Sequence, residues 1–66
     1  MQFHLNGKST TLAESCSLET FLTQQALNQP GTAVAINQQV IPRSLWSETF
    51  IRDNDDVDVF RAIAGG

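Results

Sequence analysis

Gly65 and Gly66 close the sequence and present a carboxylate on a segment that carries no side chains. Such a carboxylate is a poor acyl electrophile, because resonance stabilises it and its leaving group would be oxide. If it attacks the α-phosphate of ATP, the resulting acyl adenylate has AMP as a competent leaving group, and a sulfur nucleophile can then displace it. That chemistry requires an active site on another chain. Glycine lacks a Cβ and reaches backbone conformations closed to other residues, so Gly65 and Gly66 suit a tail that must thread a narrow channel. The bland alternative for the same residues is a frayed terminus.

The other reactive side chains make weaker cases. Asp53, Asp55, Asp56 and Asp58 resemble a cation loop, but an EF-hand needs glycine at its sixth position and glutamate at its twelfth. Asp58 and Ala64 stand there, so a solvated turn and no metal site are expected. His4 is the sole histidine and has no identifiable nucleophile beside it, which leaves a general base without a task. Cys16, the single cysteine, has no basic neighbour in sequence to lower its pKa and reads as an inert thiol. Arg43 either contacts an acidic partner or fixes the loop around Trp46, and Trp46 is expected in the core.

These groups have to be held by a small scaffold. A chain of 66 residues forms one domain whose core is too small to enclose a catalytic pocket, so function belongs on the surface. Alternation through Phe3 and Leu5, then Asn6-Gly7, predicts a hairpin returning over residues 8–12. Ser17 is a plausible N-cap for a helix in which Leu18, Phe21, Leu22 and Leu27 form an apolar stripe of about ten residues. Asn28, Pro30 and Gly31 are expected to end it. A strand over 33–36, a turn at Asn37-Gln38 and a strand over 39–41 ended by Pro42 follow. Leu45 and Trp46 fall in a short helical connection. The pair Phe50-Ile51 then leads to the turn Asp53-Asn54-Asp55 and a last strand over 56–62. Two hairpins flanking one helix, closed by a final strand, predict an α+β mixed sheet of about five strands of the β-grasp (ubiquitin-like) type. Residues 1–62 are expected to form the domain and 63–66 a flexible tail.

Composition excludes several function classes. Seven acidic residues against four basic ones give a formal charge of −3, which does not suit nucleic acid or an anionic membrane surface. The first six residues are strand-like and do not read as a signal peptide, and a lone cysteine offers no internal disulfide, so a cytoplasmic location is expected.

Several runs together resemble the ThiS family of thiamine-biosynthesis sulfur carriers. They are Asn6-Gly7, Ala33-Val34-Ala35-Ile36-Asn37, the run from Val40 through Pro42-Arg43 to Trp46, and the terminal Ala64-Gly65-Gly66. The run from Val40 to Trp46 is the most specific, since the Gly-Gly end is common to several carrier families. Asp53-Asn54-Asp55 stands where the family usually has Asp-Gly-Asp. The resemblance implies that Gly66 is adenylated by a ThiF-like enzyme using Mg-ATP and converted to a thiocarboxylate with sulfur from a cysteine-derived donor system. The sulfur then passes to thiazole synthase (ThiG-like). The carrier would bind no cofactor of its own and would be a co-substrate, not an enzyme. Other Gly-Gly carriers remain open: the small subunit of a molybdopterin synthase, or a protein modifier joined to lysine. So does a non-catalytic binding domain with an incidental tail.

Alternation also suggests how a partner could dock. If Val57 and Val59 face the core, Asp58 and Phe60 face outward. Phe60, close to the tail, becomes a candidate partner contact together with Ile63, Ala64 and Gly65. The alternative is that neighbouring side chains cover Phe60.

Overall fold

Two tight turns create the two hairpins. Asn6 and Gly7 adopt φ of 51° and 83°, the pair of positive values that a two-residue type I′ turn needs to match strand twist. They join β1 (Gln2–Leu5) to β2 (Lys8–Thr11) with Leu5 opposite Lys8. Asn37 and Gln38, at 51° and 70°, do the same for β3 (Thr32–Ile36) and β4 (Gln39–Ile41). The computed structural model describes residues 1–61, so β5 (Asp56–Arg61) is followed to its pairing with β3, and residue 62 of the expected strand lies outside the described residues. β5 runs parallel to β1 and antiparallel to β3, giving one mixed sheet in the order β2-β1-β5-β3-β4. This is the expected β-grasp arrangement.

Helix α1 (Leu18–Gln24) starts where Ser17 accepts a hydrogen bond from the Thr20 amide at 3.1 Å. It ends earlier than the apolar stripe predicts. Ala26 takes φ of 58°, the Leu27 amide donates to the Leu22 carbonyl at 2.8 Å and the Ala26 amide donates to the Thr23 carbonyl at 3.1 Å. These two bonds form a Schellman cap, which turns the chain back so that Leu27 packs on the core from outside the helix. Asn28, Pro30 and Gly31 shape the following turn instead, Gly31 at φ of 86°.

The core gathers on one face of the sheet. Phe3, Val34 and Val57 from the strands meet Leu18, Phe21 and Leu22 of α1, Trp46 of a 3₁₀ helix (Arg43–Glu48) and Ile51. Phe3 and Phe21 meet edge to face at 5.3 Å, an arrangement worth about 0.5–1.5 kcal/mol beyond burial. Trp46 is buried, and its indole Nε1 donates to the Ile41 carbonyl at 3.0 Å. The Arg43 guanidinium lies 4.4 Å from the Trp46 ring centroid and donates to the carbonyls of Asn28 at 3.3 Å and Gln29 at 2.8 Å. Arg43 therefore fixes the loop around Trp46, tying it to the connection between α1 and β3.

Two stability predictions follow from these loops. Ala26→Gly removes a left-handed alanine, and against the greater unfolded-state freedom of glycine it should stabilise the fold by about 0.5–1 kcal/mol, raising Tm by roughly 3–6 °C. Arg43→Ala should lower stability by about 1–2 kcal/mol in urea denaturation, and Arg43→Lys should restore less than half of it, because an ammonium cannot stack on the indole and span both carbonyls.

Candidate functional site

β5 is the element that leads to the terminal residues, and its position is fixed from both sides. Residues 57 to 61 pair with β3, from Val57 opposite Ile36 to Arg61 opposite Thr32. On the other side the Asn6 and His4 amides donate to the carbonyls of Val57 and Asp55 at 2.8 Å each. The Asn6 side chain also accepts from the Val59 amide at 2.8 Å. Val57 is fully buried and Val59 packs against the core, so Asp56, Asp58 and Phe60 face the side of the sheet that carries no helix, as alternation predicts.

Phe60 is 50% exposed there. Its cross-strand neighbour is Ala33, and that of Asp58 is Ala35, which in turn pairs with Val40 on β4. Ala35 is only 7% exposed whereas Val40 is 63% exposed. Short alanine side chains along β3 therefore leave Phe60 and Val40 as apolar groups on an otherwise shallow face. Val40 is the member of this surface that the sequence does not single out. Its alternation with Ile41 was a usable signal, but only the register of β4 on β3 brings it onto the same face as Phe60.

The remaining candidates are distributed as follows. Ile63, Ala64, Gly65 and Gly66 lie outside the described residues. His4 is exposed, with Nδ1 3.5 Å from an Asp56 carboxylate oxygen beside it in the sheet. Cys16 is a free thiol, partly buried against the core. Asp53 accepts from the Gln2 amide at 2.8 Å, while Asp55 accepts from the Arg52 amide at 2.8 Å and from Asn37 Nδ2 at 3.1 Å. Those two carboxylates thus act as turn acceptors where β5 enters the sheet. Among the described residues no group of three or more His, Cys, Asp or Glu side chains is placed to hold a metal ion. No described helix is long and apolar enough to cross a membrane.

Comparison with known proteins agrees with this geometry. The sequence model of the ThiS family matches residues 3–66. The sulfur carrier protein ThiS of Escherichia coli K12 is 36% identical over 66 residues, covering the whole of both chains. The crystal structure of the thiamine biosynthesis protein ThiS from Geobacter metallireducens superposes with a TM-score of 0.87 at 29% identity, again over the whole of both chains. A thiazole synthase of Paramagnetospirillum magneticum is 24% identical to the whole of this chain over 20% of its own length. With matching sequence, fold and length, the chain belongs to the ThiS family of sulfur carriers in thiamine biosynthesis.

Proposed function

We propose that the carboxylate of Gly66 is the sulfur-bearing group, that residues 63–66 form a tail extending from the domain over 1–62, and that two enzymes accept this tail in turn. In a ThiF-like enzyme, a carboxylate oxygen attacks the α-phosphate of Mg-ATP and displaces pyrophosphate. A sulfide-level sulfur nucleophile, derived from cysteine by a donor system, then attacks the acyl carbon and AMP departs, leaving a thiocarboxylate. Mg and ATP belong to that enzyme. The carrier contributes a carboxylate, two glycines that fit a narrow channel, and a recognition surface, so it is a co-substrate. Its place of work is the cytoplasm, where ATP and the donor system are available.

The observation that carries this reading is the position of β5, the central strand, which bears half-exposed Phe60 immediately before the residues that reach Gly66. An enzyme gripping Phe60 would locate the tail at the same time, with Ile63 as a second apolar contact and Ala64 and Gly65 leading into the channel. Thiazole synthase as the second partner is supported by the Paramagnetospirillum protein of that name, part of which is similar to this entire chain.

Incubation with a ThiF-like enzyme, ATP and a sulfur source should exchange one terminal oxygen for sulfur in the intact mass, and a chain lacking Gly66 should stay unchanged. Product that supports thiazole formation but not dithiolene formation assigns the thiamine role; sulfur transfer by the truncated chain would refute the proposal. Phe60→Ala should weaken binding of the activating enzyme at least tenfold while changing folding stability by less than about 0.5–1 kcal/mol. A variant that unfolds readily yet binds normally when folded would show that Phe60 serves the fold instead.

A further inference from the structure

The face that carries Phe60 also carries a carboxylate with no basic partner among the described residues. Asp56, its neighbour on β5, lies 3.5 Å from His4. Asp58 is exposed, and among the described residues no Lys, Arg or His nitrogen lies within 4.0 Å of its carboxylate. Its side chain forms no hydrogen bond among those residues either, which separates it from Asp53 and Asp55 with their turn amides. Arg61 offers no relief, because alternation directs it to the opposite side of the strand.

The β1 side of Asp58 is polar, with Asn6 bonded to the Val57 carbonyl and the Val59 amide, and the β3 side is apolar. Ala35 lies opposite Asp58 and Val40 one strand further, about 10 Å away at ordinary strand spacing, while Phe60 is two residues along, about 7 Å away. Asp58, Phe60 and Val40 mark the corners of one patch on this face, so a partner that spans it from Phe60 to Val40 also takes water from the Asp58 carboxylate. An ionised carboxylate taken out of water without a counter-charge opposes binding strongly. The partner surface must therefore meet that carboxylate with hydrogen-bond donors, and a cation makes the strongest ones.

We propose that the activating enzyme covers this face with an apolar surface bearing one arginine opposite Asp58, and that Asp58 thereby selects the enzyme that carries it. This rests on the carrier reading above and adds the chemistry of its partner. The strand that presents Asp58 and Phe60 runs on toward the terminal residues, so an enzyme that receives them is placed to cover this face, and the activating enzyme is the first to do so. Arginine fits better than lysine: its weakly hydrated, planar guanidinium can pair with a carboxylate while lying over an aromatic ring, and Asp58 and Phe60 are spaced for one such group to meet both. The acidic balance of the chain, −3 overall, favours the same encounter at longer range.

The test measures binding of the full chain to a ThiF-like enzyme by calorimetry at about 50 and about 500 mM salt, where charge screening differs greatly. Asp58→Asn should weaken binding about tenfold at low salt and flatten its salt dependence, and Asp58→Lys should weaken it about a hundredfold. Glu14→Gln, which removes the same net charge from the exposed connection before α1, should bind like the parent. Unchanged thermal unfolding of Asp58→Asn separates recognition from a role in folding. Equal affinity and equal salt dependence for the parent and both Asp58 variants would overturn the proposal, as would a Glu14→Gln effect matching that of Asp58→Asn. If the parent chain gains sulfur in the mass assay while Asp58→Lys binds and gains it equally well, only the role of Asp58 falls. If the parent gains none, the carrier reading falls first.

Discussion

Insertion of β5 between β1 and β3 is the constraint on which the rest of the molecule depends. Without it the sheet separates into two two-stranded hairpins, neither of which would be stable alone in water. With it, one continuous surface forms, and Phe3, Val34 and Val57 from three different strands converge beneath α1. The pairing of β5 with β1 joins residues more than fifty positions apart, so the closure entropy must be offset by the whole core and not by local contacts. The strand that closes the sheet is also the strand that leads to the terminal glycines, so the rigidity of the carrier and the delivery of its tail share one cause.

Side chains at the turns secure that insertion. Asn37 occupies a positive-φ position and its Oδ1 accepts from the Asp56 amide at 3.0 Å, tying the β3–β4 turn to the start of β5. Asp53 holds the amide of Gln2, and Asn6 holds the amide of Val59. Each bond satisfies a backbone donor at a place where the ladder begins or changes partner, and an unpaired donor would otherwise cost free energy there. Short polar residues in these turns thus determine both local geometry and long-range register.

The two faces of the sheet do different work. Packing saturates one face, with aromatic and aliphatic groups shielded by α1 and the 3₁₀ helix. The other has alanines at the centre, two protruding apolar groups and a pair of carboxylates, which suits a surface that must be gripped and released. A carrier that visits more than one enzyme benefits from modest, specific contacts of this kind, because affinity concentrated in a few groups leaves the remainder of the surface free.

Local chemistry was readable along most of the chain. Asn6-Gly7 and Asn37-Gln38 announce reversals because asparagine and glycine tolerate positive φ, Ser17 announces a helix start because its oxygen can accept an otherwise unpaired amide, and Pro42 ends a strand because it has no amide to give. The alternation of Val57, Asp58, Val59 and Phe60 fixes which residues share a face whatever the strand pairs with. Other features depended on groups distant in sequence. No local signal says that Ala26 will cap the helix, that Arg43 will find the carbonyls of Asn28 and Gln29, or that Val40 will share a face with Phe60. Sequence by itself determined the turns, the helix N-cap at Ser17, the alternation and the Gly-Gly terminus, since each depends on the covalent properties of neighbouring residues. Only the tertiary structure decided the strand order and the composition of the open face, since both arise from pairing between segments whose separation along the chain carries no information about their distance in space.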